Sequence, residues 1–155
     1  MDRSHPDYEQ LFHKLDKQTE DIVDNFIKFE QRTVRKNHRE GLTVTEAHIL
    51  EKAGPDGGRS MGEAAELLGV TTGTLTVAVR RLEGKGYLER RRGETDRRVI
   101  RLFLTRRGLA AYRLHRRFHA RMVRTLIDGL GSHDCQVLAR ALETLNRFFD
   151  ESESR

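Results

Sequence analysis

The amino-acid sequence predicts a mainly α fold with one small β-hairpin. Apolar residues recur at helical spacing in the first and the last third of the chain. Helix-capping patterns and helix-ending glycines divide the middle of the chain into three shorter helices. Two short segments of alternating apolar side chains then flank a polar turn, which is the pattern of a hairpin.

The first element is one long helix, predicted from about Tyr8 to Lys36. Its apolar residues form a stripe that is interleaved with charged residues. The stripe consists of Leu11, Leu15, Ile22, Phe26 and Phe29. A narrow stripe of this kind needs a partner surface to bury it.

Two capping boxes open the next two helices. Thr43 with Glu46 begins the second helix, which extends to about Lys52. Ser60 with Glu63 begins the third helix in the same way. In each box the hydroxyl and the carboxylate satisfy backbone N–H groups that the first helical turn leaves without partners.

A glycine turn separates the third helix from the fourth. The third helix ends near Leu68, and residues 69–71 then form a short turn. Thr71 caps the fourth helix, which extends to about Lys85. The inward-facing side chains are expected to be Val70, Leu75, Val79 and Leu82.

The rest of the chain predicts a hairpin followed by two more helices. The two strands are Tyr87–Arg92 and Val99–Leu104, and residues 93–96 supply the turn. Thr105 then opens a helix to about Asp128, and Ser132 caps the last helix.

Positive charge is concentrated in one part of the sequence. Residues 80–117 contain 14 Lys or Arg and 4 Asp or Glu, a net charge of +10, although the whole chain has a formal charge of only +5. Such a concentration is typical of a surface that binds a polyanion. A solvated basic helix surface is the alternative interpretation.

The remaining composition indicates a cytoplasmic protein without a membrane partner. Cys135 is the only cysteine, so no internal disulfide can form. No apolar run approaches the roughly 20 residues that span a bilayer. Residues 1–10 are polar and acidic, unlike a secretory signal.

The order of helix, glycine turn, helix and hairpin predicts a winged helix-turn-helix over residues 41–104. In this motif the second helix enters the major groove of double-stranded DNA. Threonine can contact bases or phosphates, and arginine can contact phosphate or guanine. The predicted contact residues of the fourth helix are Thr71, Thr72, Thr74, Thr76, Arg80 and Arg81.

The hairpin carries arginines near its tip, where a wing reaches DNA. Arg92, Arg97 and Arg98 are predicted contacts, because a guanidinium can enter the narrow minor groove of A·T-rich DNA. Asp96 lies beside them, although a carboxylate does not attract phosphate. Two readings stay open: Asp96 pairs with and aims Arg98, or it is an ordinary turn aspartate.

The stretch from Val70 to Gly108, VTTGTLTVAVRRLEGKGYLERRRGETDRRVIRLFLTRRG, resembles the central signature of MarR-type repressors. The resemblance implies that the fourth helix reads bases and that Arg98, steadied by Asp96, enters the minor groove. It also implies a homodimer formed through a helical dimerisation region, residues 1–40 and 105–155. A two-fold dimer requires a pseudo-palindromic operator.

Within this family the sequence is similar to repressors of fatty-acid synthesis genes. The similar segments are VTTGTLT, LEGKGY, DRRV and LHRRFHARMV. This resemblance implies a ligand-responsive repressor whose effector is an acyl carrier, with the acyl chain among the helices of the dimer interface. The same apolar side chains are also consistent with an ordinary core.

Four residues indicate a metal as an alternative effector. His115 and His119 are four residues apart, so they share one helix face. Glu30 and His48 are candidates to complete a four-ligand zinc site. This set is similar to a zinc-sensing branch of the MarR family. Paired structural or exposed histidines are the alternative.

The motifs do not indicate an enzyme. Between His115 and His119 stand Arg116, Arg117 and Phe118, so the glutamate base of an H-E-x-x-H hydrolase is missing. The sequence contains neither a phosphate-binding glycine-rich loop nor a G-x-S-x-G motif. A basic helical protein that binds membranes or partners without specificity is a remaining alternative, although such a protein has no use for a wing.

Overall fold

The computed structural model describes residues 6–37 and 41–153. It is mainly helical with a small antiparallel sheet, which confirms the predicted fold class. The elements are α1 (Pro6–Asn37), α2 (Val44–Ala53), β1 (Arg59–Ser60), α3 (Met61–Glu66), α4 (Thr72–Gly84), β2 (Leu88–Arg92), β3 (Ile100–Leu104), α5 (Arg106–Ile127) and α6 (Ser132–Glu153).

The predicted helix caps are present. The Thr43 and Ser60 hydroxyls accept the N–H groups of Glu46 and Glu63, and the two glutamate carboxylates accept the backbone N–H of the cap residue. The hydrogen bond with Ser60 lowers the pKa of the exposed Glu63 carboxyl. Thr71 caps α4 by accepting the N–H of Thr74.

The sheet has three strands in the order β1-β3-β2, all antiparallel. The predicted hairpin is β2 with β3, and Arg90 lies opposite Leu102. β1 was not predicted, because two residues are too few to show an alternating pattern. Its pairing with β3 ties the loop before α3 to the hairpin.

The main core lies in the first of two compact units, which ends at Arg113. Its largest fully buried side chains come from α2, α4, the start of the hairpin and β3: Tyr87, Leu50, Leu75, Leu82, Leu102 and Val79. The expectation for Val70 was wrong, since its side chain is 40% exposed. Val70 contributes through its backbone instead, because its N–H is donated to the carbonyl of Ala65 and closes the end of α3.

Helix α1 exposes most of its predicted stripe. Leu11, Leu15, Ile22 and Phe29 are exposed, and Phe26 is half-buried. The described residues of this chain therefore leave the stripe largely uncovered. None of the described helices is long and apolar enough to cross a membrane.

The second compact unit begins at Leu114 and contains α6. Helix α6 also exposes large apolar side chains. They are Val137, Leu142, Leu145, Phe148 and Phe149. An apolar face of this size on one helix is typical of a surface that packs against another chain.

Candidate nucleic-acid interface

A tight turn places α4 directly after α3. Gly69 ends α3 with a φ of +63°, a backbone conformation that favours glycine. Its N–H and that of Val70 are donated to the carbonyls of Glu66 and Ala65. With Thr71 as the cap of the next helix, this is the short connection that a helix-turn-helix requires.

Helix α4 has one buried and one exposed face. Leu75, Val79 and Leu82, at helical spacing, are at most 1% exposed and fix the helix to the core. The opposite side carries short or basic side chains and one apolar side chain, all exposed. These are Thr72, Thr74, Val77, Arg80 and Arg81.

The four predicted threonines of α4 differ in what their hydroxyls do. The Thr71 hydroxyl accepts the N–H of Thr74 at 3.1 Å, so it serves the helix cap. The Thr76 hydroxyl donates to the carbonyl of Thr72 at 2.7 Å. Thr72 and Thr74 are exposed on the first turn of the helix, where N–H groups and the positive end of the helix dipole favour phosphate, and the Thr74 hydroxyl lies 3.0 Å from the Thr71 hydroxyl.

A close turn forms the tip of the hairpin. The N–H of Gly93 is donated to the carbonyl of Val99 at 2.8 Å, and the N–H of Val99 to the carbonyl of Asp96 at 3.1 Å. A Cβ at Gly93 would lie 2.7 Å from the Asp96 carbonyl oxygen, so only glycine fits without a shift of the backbone.

The Asp96 carboxylate contacts the main chain of Arg98. Its Oδ1 accepts the Arg98 N–H at 2.9 Å, and this two-residue spacing is that of a turn aspartate. The geometry therefore favours an ordinary turn aspartate over a carboxylate that pairs with the Arg98 side chain. Asp96 fixes the backbone from which the Arg98 side chain extends.

The arginines of the hairpin fall into two groups. Arg90 pairs with Glu83 at 2.8 Å, and Arg91 pairs with Glu89 at 2.8 Å and lies over the ring of Phe103. By contrast, the guanidinium groups of Arg92, Arg97 and Arg98 are exposed, and within the described ranges none has a carboxylate partner. Three positive charges at the tip are therefore available to a polyanion.

A locked corner joins the hairpin to the start of α5. The Thr105 hydroxyl donates to the carbonyl of Gly86 at 2.7 Å and accepts the N–H of Gly108 at 3.0 Å. A Cβ at Gly108 would overlap the carbonyl oxygen of Tyr87. Arg107 lies over the Tyr87 ring, 4.4 Å from its centroid. The sequence predicts that Thr105 begins a helix, but it does not show the contacts of Thr105 with Gly86 or of Gly108 with Tyr87.

A partly buried ion pair also fixes the end of α4. Lys85 Nζ lies 2.7 Å from Glu46 Oε2 and donates to the carbonyl of Gly41 at 2.9 Å. The Glu46 carboxylate is almost completely buried and also caps α2. The exposed face of α4 is therefore held at both ends, by the turn at Gly69 and by this pair.

The candidate metal ligands form two pairs, one in each compact unit. In the first unit, His48 Nε2 lies 2.9 Å from Oε1 of the buried Glu30. In the second unit, the Nε2 atoms of His115 and His119 lie 3.0 Å apart. Two donors of a tetrahedral zinc ion lie roughly 3.3 Å apart at ordinary bond lengths. Each pair therefore has a spacing that fits two zinc ligands.

Residues 42–100 match the family model described as the MarR family. The chain is also similar to a solved structure, that of FabT from Streptococcus pneumoniae in complex with DNA. The two are 32% identical, with a TM-score of 0.83, and the match covers 90% of this chain and 98% of FabT.

Two curated relatives come from Bacillus subtilis (strain 168). The chain is 27% identical to the uncharacterized HTH-type transcriptional regulator YhjH over 72% of its own length. It is 34% identical to the uncharacterized HTH-type transcriptional regulator YcgE over 59% of its length. The chain spans 65% of YhjH and 53% of YcgE.

Proposed function

This chain belongs to the MarR family, and on that premise we propose that it is a homodimeric repressor that reads a pseudo-palindromic operator. Membership of this family makes the protein a MarR-type DNA-binding transcriptional regulator rather than an enzyme. The proposal concerns the residues that contact DNA, the assembly, the direction of regulation and the effector.

One observation carries the proposal. The exposed face of α4 and the hairpin tip, taken as recognition helix and wing, both belong to the first compact unit. The wing tip presents Arg92, Arg97 and Arg98 without carboxylate partners among the described residues. A helix fixed to the core suits the major groove, and free guanidinium groups on a wing suit the adjacent minor groove.

We propose the following DNA contacts. Thr72 and Thr74 meet phosphates or base edges at the start of α4, and Arg80 and Arg81 meet phosphate or guanine further along it. Thr71 and Thr76 act through the helix, because their hydroxyls are engaged by its backbone. On the wing, Arg92, Arg97 and Arg98 contact DNA, and Asp96 orders the turn between them.

The exposed apolar faces of α1 and α6 support the homodimer. Their side chains are too many to be scattered surface residues, and a second copy of the chain offers matching apolar faces. The proposed dimerisation region is residues 1–40 and 105–155, and the DNA-binding domain is residues 41–104. Residues 1–5, 38–40 and 154–155 lie outside the described residues. We also propose a cytoplasmic location, which a DNA partner and a single cysteine support.

For the effector, we propose an acyl carrier or its acyl chain. The support is the similarity of the sequence to fatty-acid repressors, together with the likeness to FabT. Adding long-chain acyl carriers to a complex of the protein with its selected operator measures whether the effector raises or lowers the operator affinity. If neither acylated nor unacylated carrier changes the operator affinity, this effector is excluded.

Selection from random duplexes tests the proposed DNA recognition. We expect enrichment of an A·T-rich pseudo-palindrome with half-sites about 10 base pairs apart, centre to centre. The logarithm of the binding constant should also fall steeply with the logarithm of the salt concentration. A pool that remains random after several rounds, at a salt concentration that permits binding, would contradict sequence-specific recognition.

A zinc-responsive regulator is a second candidate, favoured by the spacing within the two ligand pairs. In this proposal Glu30, His48, His115 and His119 hold one zinc ion. We expect about one zinc per chain after gentle purification, reduced by His119→Ala and unchanged by His133→Ala, which alters an exposed histidine outside the set. Absence of stoichiometric binding at micromolar zinc would exclude this candidate.

A further inference from the structure

We infer that Val77 reads the 5-methyl group of a thymine in the major groove. This inference rests on the proposed function, because it assigns a specificity to the α4 face. The Val77 side chain is 52% exposed, whereas Leu75, Val79 and Leu82 of the same helix are buried. An isolated exposed valine is unremarkable by itself, so the argument depends on where Val77 lies.

Val77 lies in the middle of the exposed face. One helical turn before it are Gly73 and Thr74, and one turn after it are Arg80 and Arg81. Gly73 has no side chain, and an added Cβ would meet only the Thr71 hydroxyl, at 3.7 Å. The first turn is therefore narrow here and lets the helix backbone come close to DNA. Phosphate contacts from Arg80 and Arg81 would fix the position of the helix along the DNA.

The chemistry of the side chain selects the partner. Valine has no hydrogen-bonding group, so it cannot read the donors and acceptors of a base edge. The thymine methyl is the apolar group that the major groove offers, and apolar contact with it is an established form of base readout. Because valine is β-branched, its χ1 angle is nearly fixed within a helix, which places its methyl groups reproducibly.

Replacing thymine by deoxyuridine removes the methyl group and leaves base pairing intact. We propose a scan of the selected operator in which each thymine is replaced in turn and affinity is measured at fixed salt. The parent protein should lose about fourfold in affinity at one thymine position per half-site, the amount expected for one buried methyl group. Val77→Ala should bind thymine and deoxyuridine at that position nearly equally.

Val70→Ala provides the matched control. It makes the same chemical change at another exposed valine of the helix-turn-helix, in the turn rather than on the α4 face. Its thymine-to-deoxyuridine ratio should equal that of the parent. Melting temperatures of both variants check that each is folded. We expect Val77→Ala to keep α4 intact, because alanine favours a helix more than valine does.

Three outcomes would overturn the inference, and they are distinguishable. If the parent is insensitive to deoxyuridine at every position, no thymine methyl is read. If Val77→Ala keeps the parent's sensitivity at the same position, another residue reads that methyl. If the parent enriches no duplex in the selection, the proposed function itself fails, and the inference fails with it.

Discussion

Glu83 of the recognition helix holds Arg90 of the wing by two contacts. Its Oε1 accepts the backbone N–H of Arg90 at 3.1 Å, and its Oε2 lies 2.8 Å from the Arg90 guanidinium. The carboxylate thereby fixes the first strand of the hairpin to the end of α4. This side chain, together with the N–H of Tyr87 donated to the carbonyl of Leu82, links the two proposed DNA-contacting elements.

Replacing Glu83 by Gln should reduce discrimination more than total DNA binding. The change removes a negative charge near DNA, which favours non-specific binding, and weakens the link that positions the wing. We expect the affinity ratio of operator to scrambled duplex to fall by roughly fivefold, corresponding to about 1 kcal/mol for a partly exposed pair. An unchanged ratio, measured by fluorescence anisotropy, would show that the link does not position the wing.

Two substitutions of Asp96 separate a turn role from an ion pair. Asn keeps a side-chain oxygen that can accept the Arg98 N–H, and Ala removes it. Asp96→Asn should therefore retain the operator affinity, while Asp96→Ala loses about 1 kcal/mol of it. If both variants lost the same amount in a gel-shift titration, the carboxylate charge would matter and the ion-pair reading would be correct.

The two groups of hairpin arginines predict unequal effects on binding. Arg98 has no carboxylate partner among the described residues, whereas Arg91 is held by Glu89 and Phe103. Arg98→Ala should cost about 1–3 kcal/mol of operator binding, the usual scale for a base contact. Arg91→Ala is the control and should cost clearly less at the same salt concentration. Equal losses would contradict the assignment of Arg98 to the minor groove.

Gly108→Ala tests the corner between the hairpin and α5, and Gly84→Ala in α4 is the comparison. Gly84→Ala adds a Cβ that meets nothing within 4 Å, so helix propensity should stabilise the protein by up to about 1 kcal/mol. Gly108→Ala drives a Cβ into the Tyr87 carbonyl and should destabilise by about 3 kcal/mol or more. Urea denaturation of both variants measures the free energies of unfolding. Similar values for Gly108→Ala and the parent would show that the corner is not tightly packed.

Local features of this fold could be predicted from the sequence, and contacts between distant residues could not. Thr43, Ser60 and Thr71 cap helices through partners three residues away, so the pattern alone identifies them. The overlap of Gly108 with Tyr87 depends on a tertiary contact that no local pattern shows. Val70 fits an apolar pattern, yet the turn directs its side chain outward.

In the candidate site, too, the sequence predicts the local features and not the contacts between distant residues. The sequence identified the basic segment and the threonine-rich helix, because both are properties of composition and spacing. It predicts Arg92, Arg97 and Arg98 as contacts but does not show that Arg90 and Arg91 are paired, since the pairing of Arg90 depends on how the hairpin packs against α4. The sequence likewise allows two roles for Asp96, and the turn geometry distinguishes between them.

The ratio of affinities for the selected operator and for a scrambled duplex of the same composition tests the central claim most directly. Both are measured at one salt concentration, so that phosphate attraction contributes equally. Specific recognition by α4 and the wing predicts a ratio of about 1,000 or more. A ratio near one would mean that this chain holds DNA by charge alone, and would contradict the account.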